Sequence, residues 1–269
     1  RVPVITVIDP NDIRLEPYRN IRDRDLAGRE GRFMAEGKVV LSVLLQSDAF
    51  SAESVLVLES RLAGLMPLLA NAEADLPVYC VPQGVMDGLA GFHMHRGIMA
   101  VARRRTDAVA LDALTFGPDA LVVVAQGMSN HDNMGALFRN AAAFEADMIL
   151  LDEQCCDPLY RKAIRVSVGA VLKVPFRHGD PLVRIAGLLK QQGFHLAALS
   201  PSGRQSITGL PKSGRRAIIL GSEGPGLPPG FLESASVWSI PMSSAFDSLN
   251  VATAAAMALF HSSRFSKPD

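Results

Sequence analysis

Short apolar runs alternate along the chain with stretches whose apolar residues recur at helical spacing. The runs at 4–8, 55–58, 78–81 and 98–102 are rich in Val, Ile and Leu and have strand length. A second set lies at 121–125, 148–151, 195–199, 217–220 and 237–240. Between them, 32–46, 135–145, 182–192 and 249–261 read as amphipathic helices. The alternation predicts an α/β fold with largely parallel sheets, because parallel strands need a crossover element between them.

The character of the chain changes between 103 and 118. Arg103, Arg104 and Arg105 end one strand, and a polar, small-residue stretch with Gly117 and Pro118 follows. The strongly apolar run from Ala120 to Ala125 comes next. A domain boundary belongs there, giving a first domain over 1–106, a linker over 107–117 and a second domain over 118–269. No internal repeat or low-complexity tract appears.

Composition narrows the function classes. Lys and Arg together number 27, and so do Asp and Glu. That balance excludes a polycationic tail but leaves room for a basic patch on one face. Three cysteines, two of them adjacent, make a poor disulfide framework and favour a reducing compartment. No Cys/His cluster has zinc-ligand spacing, no secretory signal is expected at the start, and no apolar run is long enough to span a bilayer. A cytoplasmic protein without metal or membrane partner is the expectation.

Three motifs carry chemistry. The first, Ser129-Asn130-His131-Asp132-Asn133-Met134-Gly135, leaves the run at 121–125 and enters a helix through Ala136-Leu137-Phe138-Arg139-Asn140-Ala141. Asn or Asp at its start suits an N-cap, and Gly135 permits close backbone approach. Arg139 comes one turn after Gly135, so its guanidinium can return toward the loop mouth. Strand–loop–helix junctions of this kind are where parallel α/β sheets bind ligands, although a capped helix with one surface arginine would look the same.

The second motif is Leu220-Gly221-Ser222-Glu223-Gly224-Pro225-Gly226-Leu227, after the run at 217–220. Three glycines and a proline within six residues make a tight, backbone-exposing loop. It has no Walker lysine and does not match GxGxxG, so neither a P-loop nor a dinucleotide site is supported. Its glutamate would repel a phosphate and fits a cationic or hydroxyl-bearing ligand better. The third motif runs Ile240-Pro241-Met242, Ser243-Ser244-Ala245-Phe246-Asp247, then Ser248-Leu249-Asn250-Val251-Ala252. A strand ends at Ile240, and Ser248 or a neighbour caps an alanine-rich helix while offering neutral donors and acceptors.

In order and spacing these three motifs resemble the SpoU-type (TrmH-type) RNA ribose methyltransferases of the SPOUT superfamily, from about Leu121 onward. Arg165-Val166-Ser167-Val168-Gly169-Ala170 adds support between them. Phe33-Met34-Ala35-Glu36-Gly37 and His95-Arg96-Gly97-Ile98 resemble signposts of the family's N-terminal extension. The chain departs from the usual pattern at His131 (commonly proline), Asn140 (commonly threonine), Ser244 (near which glycine is usual) and Asp247 (frequently glutamate).

The resemblance implies a C-terminal α/β domain with a deep trefoil knot, preceded by a smaller α/β RNA-binding domain. It implies a homodimer with the active site near the subunit interface, S-adenosylmethionine as cofactor, and rRNA or tRNA as substrate. The reaction is attack of a ribose 2′-oxygen on the cofactor methyl group. Leu199, Gly221, Ile240 and Leu249 are the implied cofactor contacts, with Glu223, Gly226 and Met242 beside them. Arg139 is the implied catalytic arginine, with Asn133, Glu223, Ser248 and Asn250 orienting it and the ribose. Because an arginine almost never gives up its proton, a clamp on RNA phosphate suits Arg139 better than a base.

Two other readings stay open: a SPOUT enzyme acting on a base nitrogen, and a non-catalytic RNA-binding protein that keeps the fold. A nucleotide-binding oxidoreductase lacks its glycine fingerprint. The mixed-charge stretch 9–32 is either a solvated, ion-paired lead-in or an arginine strip for RNA phosphates, and its near-balance of charge favours the first.

Overall fold

The computed structural model describes residues 1–20, 31–91, 93 and 96–267. The chain divides into two compact units. One comprises Arg1–Asp107 and, from later in the sequence, Asp157–Lys173; the other comprises Ala108–Cys156 and Val174–Asp269.

The first unit contains β1 (Val4–Thr6), β2 (Arg32–Glu36), α1 (Lys38–Leu45), β3 (Phe50–Leu58), α2 (Glu59–Leu69), β4 (Val78–Val81), α3 (Gln83–Ala90) and β5 (Ile98–Arg104). Its sheet has the order β1-β4-β3-β5-β2. β1, β4 and β3 pair in parallel, while β5 runs antiparallel to both β3 and β2, so this sheet is mixed. Leu56, Met86, Leu89 and Met99 fill the core on one side.

The helix expected over 32–46 divides in two. Residues 32–36 are a strand, and the helix starts only at Lys38. Gly37 makes the break with a φ of +92°, a left-handed conformation that side-chain-bearing residues rarely adopt. β2 hid from the pattern because four of its five residues are buried, so no polar alternation marks it. Of the stretch 9–32, the described part ties its charges together: Arg14 pairs with Asp12 at 2.6 Å and Arg19 with Glu16 at 2.7 Å. Residues 21–30 and His95, one of the N-terminal signposts, lie outside the described residues.

The second unit opens with β6 (Leu121–Ala125), α4 (His131–Ala143) and β7 (Met148–Leu151). The chain then supplies α5 (Arg161–Val166) to the first unit. There Arg161 donates to the buried Glu36 of β2 at 2.9 Å, and Arg165 lies 3.8 Å from the same carboxylate. Back in the second unit follow β8 (Phe176–His178), α6 (Leu182–Gln191), β9 (His195–Leu199), β10 (Gln205–Ser206), β11 (Arg216–Leu220), α7 (Pro229–Ser234), β12 (Ser236–Ser239) and α8 (Val251–Ser262).

Seven strands order as β10-β12-β9-β11-β6-β7-β8, and every pairing is parallel. β6 and β11 are buried along their whole length, which is why they read as unbroken apolar runs. The chain progresses one way from β6 through β7 to β8, and then returns to fill the other side. That reversal leaves a crevice at the carboxyl ends of the central strands, where ligands of open parallel sheets bind. Among the described residues, no helix is long and apolar enough to cross a membrane, and no cluster of three or more His, Cys, Asp or Glu could hold a metal ion.

Candidate active site

Three loops meet at that crevice, each leaving a strand end. After β6 the Asn130 side chain accepts a hydrogen bond from Asn133 N at 3.0 Å and so caps α4. The cap fixes the first turn and brings Asn133, 8% exposed, against the third loop. One further tie holds α4 in place: Asn140 Nδ2 donates to Ala252 O at 2.9 Å. Asn140, where the family commonly has threonine, thus fastens α4 to the first turn of α8.

After β11 the chain doubles back over 221–227. Gly226 N donates to Ser222 O at 3.0 Å, and Gly224 and Gly226 take φ values of +83° and +68°. A Cβ on Gly221 would overlap the backbone of Gly226 and Leu227, so no other residue fits this turn without opening it.

After β12 residues 241–250 form an exposed loop without regular structure. Its last residue, Asn250, is the cap of α8, not Ser248: its Oδ1 accepts from Ala252 N at 3.0 Å and Thr253 N at 3.1 Å. The amide's other end is then a donor, and Nδ2 meets Asn133 Oδ1 at 3.0 Å. One side chain therefore starts a helix and locks the first motif to the third.

Together these loops enclose a cavity of about 640 Å³. Asn133, Leu199, Gly221, Glu223, Gly226, Ile240, Met242, Ser248, Leu249 and Asn250 all line it. Arg139 does not. It is exposed on α4 and has no hydrogen-bond or ion-pair partner among the described residues. Arg139 stands seven residues past Asp132, which does line the cavity, so it shares that helix face but sits ~10 Å further along the axis. The expected return of its guanidinium to the loop mouth is not seen in the single chain.

Sequence reasoning missed Asp132, Ser200, Pro201, Trp238 and Ser239 on the lining. Asp132 and Ser239 are immediate neighbours of residues already singled out. Ser200 and Pro201 follow a strand end without glycine or motif to flag them. Trp238, the chain's single tryptophan, reads as core and is 8% exposed. The charged side chains on the lining are Asp132 and Glu223, both acidic; the rest is backbone, amide, hydroxyl and apolar surface.

A cavity of this make can bind a neutral or cationic small molecule through backbone groups and present it to a second reactant at an exposed mouth. The model of the SpoU rRNA Methylase family matches residues 120–260. A Mycobacterium bovis protein described as an uncharacterized tRNA/rRNA methyltransferase is 37% identical over 268 residues, covering 96% of this chain and 91% of the relative. A solved RNA 2′-O ribose methyltransferase superposes with a TM-score of 0.80 at 26% identity, over 96% of this chain and 98% of that one. The AdoMet-bound rRNA methyltransferase of Sinorhizobium meliloti shares the fold at a TM-score of 0.81 and 20% identity, over 98% and 99% of the two chains. Every loop that builds the cavity falls inside the matched region, and the chain belongs to the SpoU rRNA methylase family.

Proposed function

We propose that the second unit transfers a methyl group from S-adenosylmethionine to a ribose 2′-hydroxyl of rRNA or tRNA, in the cytoplasm. The observation that carries this is the convergence of four strand-end loops, after β6, β9, β11 and β12, on one cavity whose charged lining among the described residues is acidic. A phosphate-bearing cofactor would be repelled there, whereas a sulfonium is attracted. The volume lies within the range of small-molecule sites, roughly 300–1,000 Å³.

Bound in the cavity, the cofactor supplies an electrophilic methyl group. The backbone around Leu199, Gly221, Gly226, Ile240, Met242 and Leu249 grips it, and Glu223 complements its charge. The Asn133–Asn250 bond holds two loops in register, and Ser248 stands at the mouth to orient the ribose. Rate enhancement comes largely from holding oxygen, methyl and sulfur in line. Arg139, outside the cavity, acts on the RNA: a guanidinium paired with phosphate lowers the cost of negative charge on the attacking oxygen.

A homodimer fits this reading. Met242 and Leu249 on the cavity lining are 39% and 40% exposed, Phe246 of the same loop is 75% exposed, and a second copy laid over this loop would exclude water from the site. The trefoil knot expected of the family fits the tight passage at Gly203, whose Cβ would lie 2.5 Å from the Trp238 carbonyl carbon. The first unit serves as the RNA-binding domain.

The test is the chemistry of the product. RNA from cells with and without the gene is hydrolysed in alkali. A 2′-O-methyl group removes the nucleophile that cleaves the adjacent phosphodiester, so an alkali-resistant dinucleotide should vanish with the gene. Loss of a methylated mononucleotide instead would mean base methylation. Calorimetry showing no binding of S-adenosylmethionine or its demethylated product to the purified protein would point to a non-catalytic RNA-binding protein.

A further inference from the structure

The first unit holds a second cavity, about 630 Å³, that shares no residue with the first and has the opposite charge. Among the described residues, Lys38, Arg61, Arg96 and Arg165 line it against one carboxylate, Glu36. That carboxylate is already engaged by Arg161 at 2.9 Å and is 6% exposed, so it offers little to repel an anion. Arg96 is exposed and lies over Gly37, where a Cβ would sit 3.6 Å from its Nη1. Lys38 is exposed too, and its Nζ is held at the Gly64 carbonyl at 2.8 Å, which fixes the ammonium at the wall. Val39 and Val168, 59% and 42% exposed, form apolar parts of the same lining.

Cations alone would suit any anion. Cations set beside exposed valines suit a phosphate joined to a group with an apolar face, as a nucleotide is through its base. We propose that this cavity is a backbone-phosphate subsite for the RNA substrate, in which Arg96 and Lys38 hold a phosphodiester while Arg61 and Arg165 add to the field. It rests on the reading above that the substrate is RNA. It also gives α5 a purpose: Arg161 neutralises Glu36, and that leaves the cavity cationic.

The experiment uses the full chain. Arg96→Ala, Lys38→Ala and the double variant are compared with Lys190→Ala, which removes an exposed charge from α6. RNA affinity is measured across a salt series, alongside single-turnover methyl transfer at saturating RNA and cofactor affinity. The salt slope should fall by about 0.7–1 per lost contact. Affinity should drop several-fold, while the saturated rate, cofactor binding and thermal stability hold. Arg96→Lys should restore the slope because it keeps the charge. Lys190→Ala should leave the slope alone.

An unchanged slope in the double variant overturns the proposal, as does an equal loss in Lys190→Ala. Inorganic phosphate that binds through Arg96 yet does not compete with RNA would assign the cavity to a small anion and also overturn it. RNA binding is read here without catalysis, so the two readings fail separately. A protein that binds RNA through Arg96 but methylates nothing sinks the methyltransferase alone. One that methylates RNA with its slope unmoved sinks the subsite alone.

Discussion

Asn133 and Asn250 are 117 positions apart and share a hydrogen bond of 3.0 Å. The direction of that bond is fixed by the helix: the two amides of α8 need an acceptor, so Asn250 turns Oδ1 to them and Nδ2 to Asn133. Asn250→Ala removes both functions and should cost about 1–2 kcal/mol of stability, seen as a lowered Tm. Asn250→Asp separates them. Aspartate caps a helix as well as asparagine does, but its carboxylate faces the Asn133 carbonyl oxygen with no proton to give. Stability should hold while methyl transfer falls; a variant with normal turnover would show that the inter-loop bond is dispensable. Arg139 has no partner to lose among the described residues, so Arg139→Ala should leave Tm and cofactor affinity alone and cut single-turnover methyl transfer by about 10²-fold or more. Arg139→Lys should recover little, because a point charge does not reproduce a two-pronged contact. Near-normal turnover in Arg139→Ala would move the role to Glu223 or Asn250. At this scale the sequence was legible where the cavity lining sits on a motif, as at Asn133, Glu223 and Asn250. It was not legible at Ser200, Pro201 and Trp238, which reach the cavity only because parallel strands end side by side.

Among elements, the loop 221–227 depends most visibly on residue type. Gly221→Ala forces a methyl group into the backbone of Gly226 and Leu227, so the turn must open. Gly224→Ala meets nothing within 4 Å and costs only the left-handed backbone, ~1–2 kcal/mol. Calorimetry should find cofactor binding lost in Gly221→Ala and largely kept in Gly224→Ala; equal behaviour would mean the turn's shape is not what grips the cofactor. The strand expectations at 78–81, 121–125, 148–151 and 195–199 coincide with β4, β6, β7 and β9, because buried parallel strands are continuous apolar runs bounded by turns. β8 and β10, three and two residues long, are too short to leave a pattern. At β2 and α1 the apolar residues on the two sides of Glu36-Gly37-Lys38 were read as one helical pattern, which joined a strand to a helix. Only the glycine's backbone marks the joint. The antiparallel placement of β5 had no local signal either, since strand direction is set by which neighbour it pairs with.

For the molecule as a whole, a formal charge of zero conceals two cavities of opposite sign, one acidic in the second unit and one basic in the first. Composition could not reveal this, because it sums charges that the fold separates. The boundary read near residue 107 likewise describes the chain only up to Cys156; Asp157–Lys173 then groups with the first unit. That segment buries Ala163 and Ile164, ties Arg161 to Glu36, and places Gly169 so that a Cβ there would come within 3.0 Å of Val43. A chain beginning at Ala108 would keep every residue of the acidic cavity but strip this segment of its partners. Its apolar side chains would face water, and Arg161 and Arg165 would lose their buried carboxylate. A six-residue helix without tertiary contacts is far below the length that holds itself together, about 12–15 residues even in favourable sequences. Trypsin should therefore cut the shortened chain at Arg161, Lys162, Arg165 or Lys173 under conditions where the full chain resists. Cofactor binding should persist and RNA affinity should fall. Resistance to cleavage in that segment would show that it folds with the second unit after all, and loss of cofactor binding would show that the acidic cavity depends on residues before 108.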